Sequence, residues 1–239
     1  MAATDSLFGR CRFVLSHTTH PGNIGAAARA IKTMGFGRLA LIAPKHFPDP
    51  QASAMASGAE DVLANAQVCS DLSAALRGAT LVAGLTARRR DLSHTVLEPR
   101  EAAALLAKEV APVLLFGTEM SGLSNKELDH CQLLVTIPAN PAYSSLNLAA
   151  AVQVLAYELR LAASSAVPAL DDVASYAPYE EVERFHQHLE TVLVQTGFLD
   201  PANPKRLMSR LRRLFARTRL EVEEVNILRG ILSALNKVD

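Results

Sequence analysis

Short apolar runs alternate with helical patterns through the first two thirds of the chain. Five runs have the length and composition of buried strands: residues 12–16, 38–44, 80–84, 112–117 and 134–137. Between and after them, apolar residues recur at helical spacing over 23–35, 61–66, 71–76, 99–110, 125–129 and 148–158. Apolar strands that alternate with helices predict an α/β domain with a largely parallel, buried sheet.

The last third of the chain has a different pattern. Residues 164–178 are rich in Pro, Ser, Ala and Asp, a composition typical of a linker. Beyond it only helical periodicity remains, and helices are predicted at 179–196, 204–216 and 220–238. We therefore expect an α/β domain over 1–163, a linker over 164–178 and a small all-helical domain over 179–239.

Three loops that follow predicted strands are candidates for a ligand site: 84–90, 117–122 and 137–147. Ligands of open α/β sheets bind beyond the carboxyl ends of the strands, and glycines there allow close backbone approach. In the last loop, Pro138 and Pro141 fix the turn before a helix whose first N–H groups face a ligand edge. The sequence has no GxGxxG after its first strand and no GxxxxGK[ST], which disfavours a dinucleotide or P-loop site.

Arginines are candidates for a role at these loops. Asn23 is the predicted N-cap of the helix over 23–35. Arg29 lies on the polar face of this helix with Gly25 and Lys32. A solvated arginine is the common outcome, and a role at the loops is the alternative. Residues 88–90 are three consecutive arginines in a loop that follows a predicted strand. They are either solvated or in contact with a phosphate.

A second basic group lies in the C-terminal helices. Its members are Lys205, Arg206, Arg210, Arg212, Arg213, Arg217 and Arg219. RNA contact and packing against the acidic Glu221, Glu223 and Glu224 are both open at this point.

Overall composition narrows the class of protein. The chain has 239 residues, 49% of them hydrophobic, and a formal net charge of zero, so global charge does not predict a nucleic-acid partner. Cys11, Cys69 and Cys131 are far apart, and the histidines have no chelating spacing, so we expect reduced thiols and no metal. No apolar run approaches the roughly 20 residues of a membrane span. We expect a soluble cytoplasmic protein.

Three segments, 20–29, 116–123 and 137–148, resemble the three motifs of SPOUT-superfamily TrmH-like RNA 2′-O-ribose methyltransferases. The group that looks closest is the TrmJ-type tRNA (cytidine/uridine-32-2′-O)-methyltransferases, whose helical extension also resembles segments 197–200 and 226–232. The resemblance implies a SPOUT-type parallel sheet with a deep C-terminal trefoil knot, followed by a small helical extension. Such a knot is a rare exception to the rule that protein chains are not knotted.

The same resemblance implies a homodimer with a shared active site that uses S-adenosylmethionine to methylate a tRNA ribose 2′-OH, at nucleotide 32 of the anticodon loop. Arg29 and Asn147 are then the candidate catalytic residues. The implied cofactor contacts are Leu85, Thr86, Ala87, Gly117, Ile137, Ser144, Ser145 and Leu146. RNA contacts are predicted at Asn23, Lys32, Arg88, Arg90, Glu119, Arg210 and Arg213.

Three positions depart from the motifs, one of them His17, which occupies a position that is often acidic or an amide in relatives. Thr118 stands where relatives usually carry arginine, and Met120 where a charged residue is common. These departures leave a non-catalytic RNA-binding relative and an enzyme acting on ribosomal RNA as alternatives, and an α/β small-molecule enzyme that uses the same loops is a third. For Arg29 we expect stabilisation of the developing 2′-oxyanion rather than base catalysis, since arginine deprotonates very reluctantly.

Overall fold

A seven-stranded, wholly parallel sheet forms the centre of the molecule. The computed structural model describes residues 6–87, 95–165 and 175–235. Its strands are β1 (Arg12–Ser16), β2 (Arg38–Ile42), β3 (Gln67–Cys69), β4 (Leu81–Leu85), β5 (Thr95–Leu97), β6 (Pro112–Phe116) and β7 (Leu133–Val135). They pair in the order β3-β2-β1-β6-β4-β7-β5. The expected α/β fold with a parallel sheet is confirmed.

Eleven helices surround the sheet or follow it within the described ranges. They are α1 (Leu7–Arg10), α2 (Pro21–Thr33), α3 (Pro50–Ala56), α4 (Glu60–Ala64), α5 (Leu72–Leu76), α6 (Pro99–Leu106), α7 (Asn125–Leu128), α8 (Leu148–Ser165), α9 (Tyr179–Gln195), α10 (Leu207–Thr218) and α11 (Val222–Leu235). None of these described helices is long and apolar enough to cross a lipid bilayer.

Both faces of the sheet are buried, because successive strand residues point to opposite faces. Phe13 and Phe116 belong to the core under α2, α6 and α8, whereas Val14 and Leu115 belong to the core under α5 and α7. A third core lies within α9, α10 and α11, around Phe185. The strands therefore read as continuous apolar runs rather than as alternating ones.

The C-terminal helices are fixed to the amino end of the sheet. The Tyr179 N–H donates to the Ala79 carbonyl at 2.9 Å, and the Gly78 N–H donates to the Glu180 carboxylate at 2.9 Å. Arg219 forms an ion pair of 2.7 Å with Glu109, a carboxylate only 7% exposed. The opposite edge, where the strands end, stays open for the loops that form the site.

The structure corrects several expected elements. Helix α2 begins at Pro21 with His20 as its N-cap, so the expectation that Asn23 caps this helix was wrong. Proline favours the first helical position because its φ is already helical and it lacks an N–H to satisfy. The short edge strands β3 and β5 and the single turn α1 were not anticipated. Each of these strands has only three residues, two of them exposed, which is too short a run to show hydrophobic periodicity.

Candidate cofactor and RNA site

One cavity of about 300 Å³ lies at the carboxyl ends of β4, β6 and β7. All eight residues for which the resemblance implied cofactor contacts line it, from all three loops singled out in the sequence. The cavity is also lined by residues that were not named as cofactor contacts, namely Thr118, Glu119, Met120, Ser121 and Gly122 of the predicted loop 117–122, and Phe116, Leu148 and Ala151 outside it. The strand order makes this convergence inevitable, because β4 lies between β6 and β7.

The loop 117–122 is a closed turn that shapes one wall. Thr118 and Gly122 exchange backbone hydrogen bonds of 3.3 and 3.0 Å, and the Thr118 and Ser121 hydroxyls are 2.8 Å apart. Gly122 has φ +67°, which favours glycine. A Cβ at Gly117 would lie 2.1 Å from the Gly122 carbonyl carbon, so only glycine fits there. Thr118 thus completes the turn through its own hydroxyl.

Glu119 joins this turn to the loop after β1. Its carboxylate accepts hydrogen bonds from the Thr19 N–H and hydroxyl at 3.1 and 3.0 Å, the His20 N–H at 3.1 Å and the Asn23 side-chain amide at 3.1 Å. Burial by itself opposes ionisation, but these donors outweigh it and lower the pKa of Glu119 to about 2. The carboxylate is therefore a fixed anion whose oxygens face the N–H groups of Thr19, His20 and the Asn23 side chain.

Asn147 connects the third loop to the same network. Its side-chain oxygen accepts from the Ala149 and Ala150 N–H groups at 2.9 and 3.4 Å and so caps α8. Its amide nitrogen donates to the Asn23 side-chain oxygen at 3.0 Å. These bonds settle both amide orientations, since each oxygen faces a donor and each nitrogen faces an acceptor. The chain Asn147–Asn23–Glu119 thus links the three motif segments.

The predicted residues of α2 are only partly brought to this site. Arg29 is exposed and does not line the cavity, and within the described part of the chain its guanidinium has no hydrogen-bond or ion-pair partner. Lys32 donates to Gly58 and pairs with Asp61 at 2.8 Å. The supposed polar face of α2 is in part a packing face, because a Cβ on Gly25 would clash with α3.

The C-terminal basic group divides into structural and free members. Arg212 donates two hydrogen bonds of 2.6 and 2.7 Å to the Glu183 carboxylate, and Arg219 forms an ion pair with Glu109. The idea that this group packs on Glu221, Glu223 and Glu224 was therefore wrong for these two arginines; their acids come from other elements. Arg210 is exposed, whereas the guanidinium of Arg213 donates to a backbone carbonyl of its own helix.

The remaining predictions concern two arginines, the cysteines and metal binding. Arg88 and Arg90 lie outside the described residues. The three cysteines are free and buried. The described residues contain no group of three or more His, Cys, Asp or Glu side chains that could hold a metal ion. Thr19 and His20, which hold Glu119, were missed because they act largely through backbone N–H groups, for which residue type gives no signal.

Comparisons with known proteins converge on one family. Residues 10–157 match the SpoU rRNA Methylase family, and residues 180–238 match the C-terminal domain of the tRNA methyltransferase TrmJ. The tRNA (cytidine/uridine-2′-O-)-methyltransferase TrmJ of Pectobacterium atrosepticum is 51% identical over 232 residues, which cover 95% of this chain and 96% of that protein.

Solved structures agree with the sequence matches. The crystal structure of TrmJ from Z. mobilis ZM4 has a TM-score of 0.86 at 34% identity and covers 95% of this chain and 99% of that one. A structure described as giving insight into the 2-OH methylation of C/U34 on tRNA has a TM-score of 0.52 at 28% identity, covering 64% of this chain and 91% of that one.

Proposed function

The chain belongs to the SpoU rRNA methylase family and carries a TrmJ-type C-terminal domain, and on this premise we propose that it methylates the ribose 2′-oxygen of cytidine or uridine in tRNA. Identity of 51% to a TrmJ enzyme over nearly the whole of both chains supports this activity. The structural observation that carries it is the hydrogen-bonded chain Asn147–Asn23–Glu119, which holds the three motif segments at the mouth of one cavity.

We propose that the cavity binds S-adenosylmethionine, and its chemistry fits. Leu85, Ile137 and Leu146 offer apolar wall for an adenine ring and a carbon chain, and Ser144 and Ser145 offer hydroxyls. Glu119 is the only ionisable side chain among the described lining residues, and its fixed negative charge suits a cationic sulfonium. When bound, the cofactor supplies the methyl group that the acceptor oxygen attacks.

The protein's own contribution is alignment and electrostatics. Methyl transfer needs the acceptor oxygen in line with the methyl carbon, so positioning provides much of the rate. Only one of the two N–H bonds of the Asn147 amide goes to Asn23, and we assign the other to the acceptor ribose. Arg29 stabilises the developing 2′-oxyanion as a guanidinium, while a phosphate or water takes the proton. Near-normal turnover by Arg29→Lys would exclude a special guanidinium role.

Because Arg29 is exposed and absent from the cavity wall of its own chain, we propose a homodimer in which it serves the partner's cavity. Complementation tests this arrangement. Arg29→Ala and Asn147→Ala proteins are each expected to be inactive alone. After unfolding and refolding as a mixture, heterodimers carry one intact composite site, and about a quarter of wild-type activity is expected. No recovery in verified heterodimers would contradict the shared site.

Finer parts of the assignment are also proposals. We propose that the segment between β7 and α8 forms the trefoil knot, and that the domains are 1–163 and 179–239, joined by 164–178. We place the acceptor at nucleotide 32 and the enzyme in the cytoplasm, following the resemblance of the motifs. Nucleotide 34 is the alternative favoured by the structural relative that concerns C/U34.

Two measurements test the proposal. Calorimetry should detect one cofactor site per chain, and nucleoside mass spectrometry should detect 2′-O-methylcytidine or 2′-O-methyluridine in an unmodified tRNA transcript incubated with cofactor. A non-catalytic relative, which Thr118 and Met120 leave as the competing interpretation, would bind tRNA without forming either nucleoside. Methylation of ribosomal RNA in place of tRNA would redirect the substrate assignment while preserving the chemistry.

A further inference from the structure

Many cationic side chains of this protein are held by carboxylates, as in the pairs Lys32–Asp61 and Arg212–Glu183. The exposed cations without such a partner within the described residues include Arg29, Lys108 and two groups. One group belongs to α10 and its entry: Lys205, Arg206, Arg210 and Arg217. The other, which has no assigned role, consists of Lys45 and Lys126 on the two sides of the loop 17–20.

Lys126 is fixed beside the cavity mouth by its neighbours. It lies in α7, which follows the turn 117–122 directly. The next residue, Glu127, accepts hydrogen bonds from the Ser16 hydroxyl, at the end of β1, and from the Ser124 N–H at 2.7 Å. Burial opposes ionisation of Glu127, but the Ser16 and Ser124 donors outweigh it and lower its pKa. The acid beside Lys126 thus points inward and leaves the ammonium group facing solvent.

Lys45 stands on the other side of the same loop. Its N–H donates to the Thr18 carbonyl at 3.0 Å, which attaches the loop after β2 to the loop after β1. The residues that follow Thr18, Thr19 and His20, hold Glu119 at the cavity wall. Lys45 is exposed, and so is His46 beside it. Lys45 is therefore anchored through its backbone to the loop that borders the reacting end of the cavity, whereas Lys126 is held beside the same loop by the contact of Glu127 with the Ser16 side chain at the end of β1.

Helix α7 also contacts α10. The Ser209 hydroxyl donates to the Asp129 carboxylate at 2.6 Å, three residues after Lys126. Arg206 and Arg213 lie three residues before and four after Ser209, spacings that place side chains on one helix face. Helix α7, which carries Lys126, is thus joined to α10 through Asp129 and to the end of β1 through Glu127.

We propose that Lys126 and Lys45 bind backbone phosphates of the RNA substrate on either side of the acceptor nucleotide, and that Lys126 joins the α10 cations to the active site in one phosphate track. The proposal rests on the proposed function for the identity of the substrate. Lysine suits this role because it is a point charge that tolerates variable phosphate geometry, and such contacts position a nucleic acid without reading its sequence.

The test is the salt dependence of tRNA affinity for Lys45→Ala, Lys126→Ala and the double variant, measured by fluorescence titration between 50 and 200 mM salt. Each lost phosphate contact should weaken binding about five- to eightfold at 0.1 M salt and reduce the log–log slope by about 0.7 to 0.9. Lys108→Ala is the matched control, because that exposed lysine precedes β6 at the opposite end of the sheet.

Further readouts separate the possible failures. Lys126→Arg should keep the wild-type slope, whereas a structural defect would persist in it. Cofactor affinity by calorimetry and turnover at saturating tRNA should be unchanged in all lysine variants. If wild-type protein methylates tRNA but the alanine variants match Lys108→Ala in slope and affinity, the phosphate track is wrong and the function stands. If wild-type protein methylates no tRNA, the proposed function fails. If Lys45 and Lys126 contribute to the binding of an acidic protein but not to the binding of tRNA, the phosphate track is wrong.

Discussion

Replacing Glu119 with glutamine tests the hydrogen-bonded chain at the cavity mouth most sharply. The carboxylate accepts from the N–H groups of Thr19 and His20, from the Thr19 hydroxyl and from the Asn23 amide. Glutamine has nearly the same shape, but its NH2 group would face at least one of these donors. We expect Asn23 to lose its fixed orientation, and Asn147 with it, so that turnover falls at least tenfold while the fold persists.

The magnitude for stability follows from the pKa of Glu119, lowered from 4.5 to about 2. A fall of this size corresponds to at most about 3 kcal/mol. Solvent reaches this half-buried carboxylate, and screening reduces the expected contribution to roughly 1–2 kcal/mol. Because folding lowers the pKa, the stabilisation is complete above pH 4.5 and disappears as the pH falls from 4.5 towards 2.

Urea unfolding of wild type and Glu119→Gln at several pH values measures this directly. The difference in free energy of unfolding should be about 1–2 kcal/mol at pH 7 and less than half of that at pH 3. Glu190→Gln, at an exposed glutamate of α9, is the control and should differ little from wild type. A difference for Glu119→Gln that does not change with pH would refute the role assigned to its charge.

Three further substitutions test the packing and the cap. Gly117→Ala should weaken cofactor affinity by more than tenfold in calorimetry, whereas Gly37→Ala, with nothing within 4 Å, should not. Arg212→Ala leaves Glu183 half-buried without its partner and should cost about 2–4 kcal/mol in urea unfolding; a neutral result would contradict a structural role. Asn147→Asp keeps the helix cap but cannot donate to Asn23, so stability within about 1 kcal/mol and at least tenfold lower turnover are expected.

Hydrophobic pattern alone was enough to predict five of the seven strands and the long helices. The central strands β1, β2, β4 and β6 are apolar runs because helices cover both of their faces. The edge strands β3 and β5 were not predicted, because three-residue strands with two exposed side chains leave no periodic signal. Helix α2 started earlier than expected because Pro21 takes its first position.

The candidate site was predictable to the extent that motifs mark it. The rule that ligands bind beyond the carboxyl ends of parallel strands predicted where the cavity lies. The eight residues named as cofactor contacts came from the resemblance to a known family. Contacts between distant residues could not be foreseen. Arg219 binds Glu109 from more than a hundred residues away, and Glu119 is held by backbone N–H groups, which every residue except proline carries.

The proposed transfer of a methyl group to a tRNA ribose has a direct experimental test. Purified protein is incubated with methyl-labelled S-adenosylmethionine and two tRNAs that differ only at nucleotide 32, one with the 2′-hydroxyl and one with 2′-hydrogen. Digestion and mass spectrometry then locate the label. We predict a single 2′-O-methylated cytidine or uridine in the first tRNA and no label in the second. Label on a base would contradict ribose methylation, and equal ribose label in both tRNAs would exclude nucleotide 32 as the acceptor.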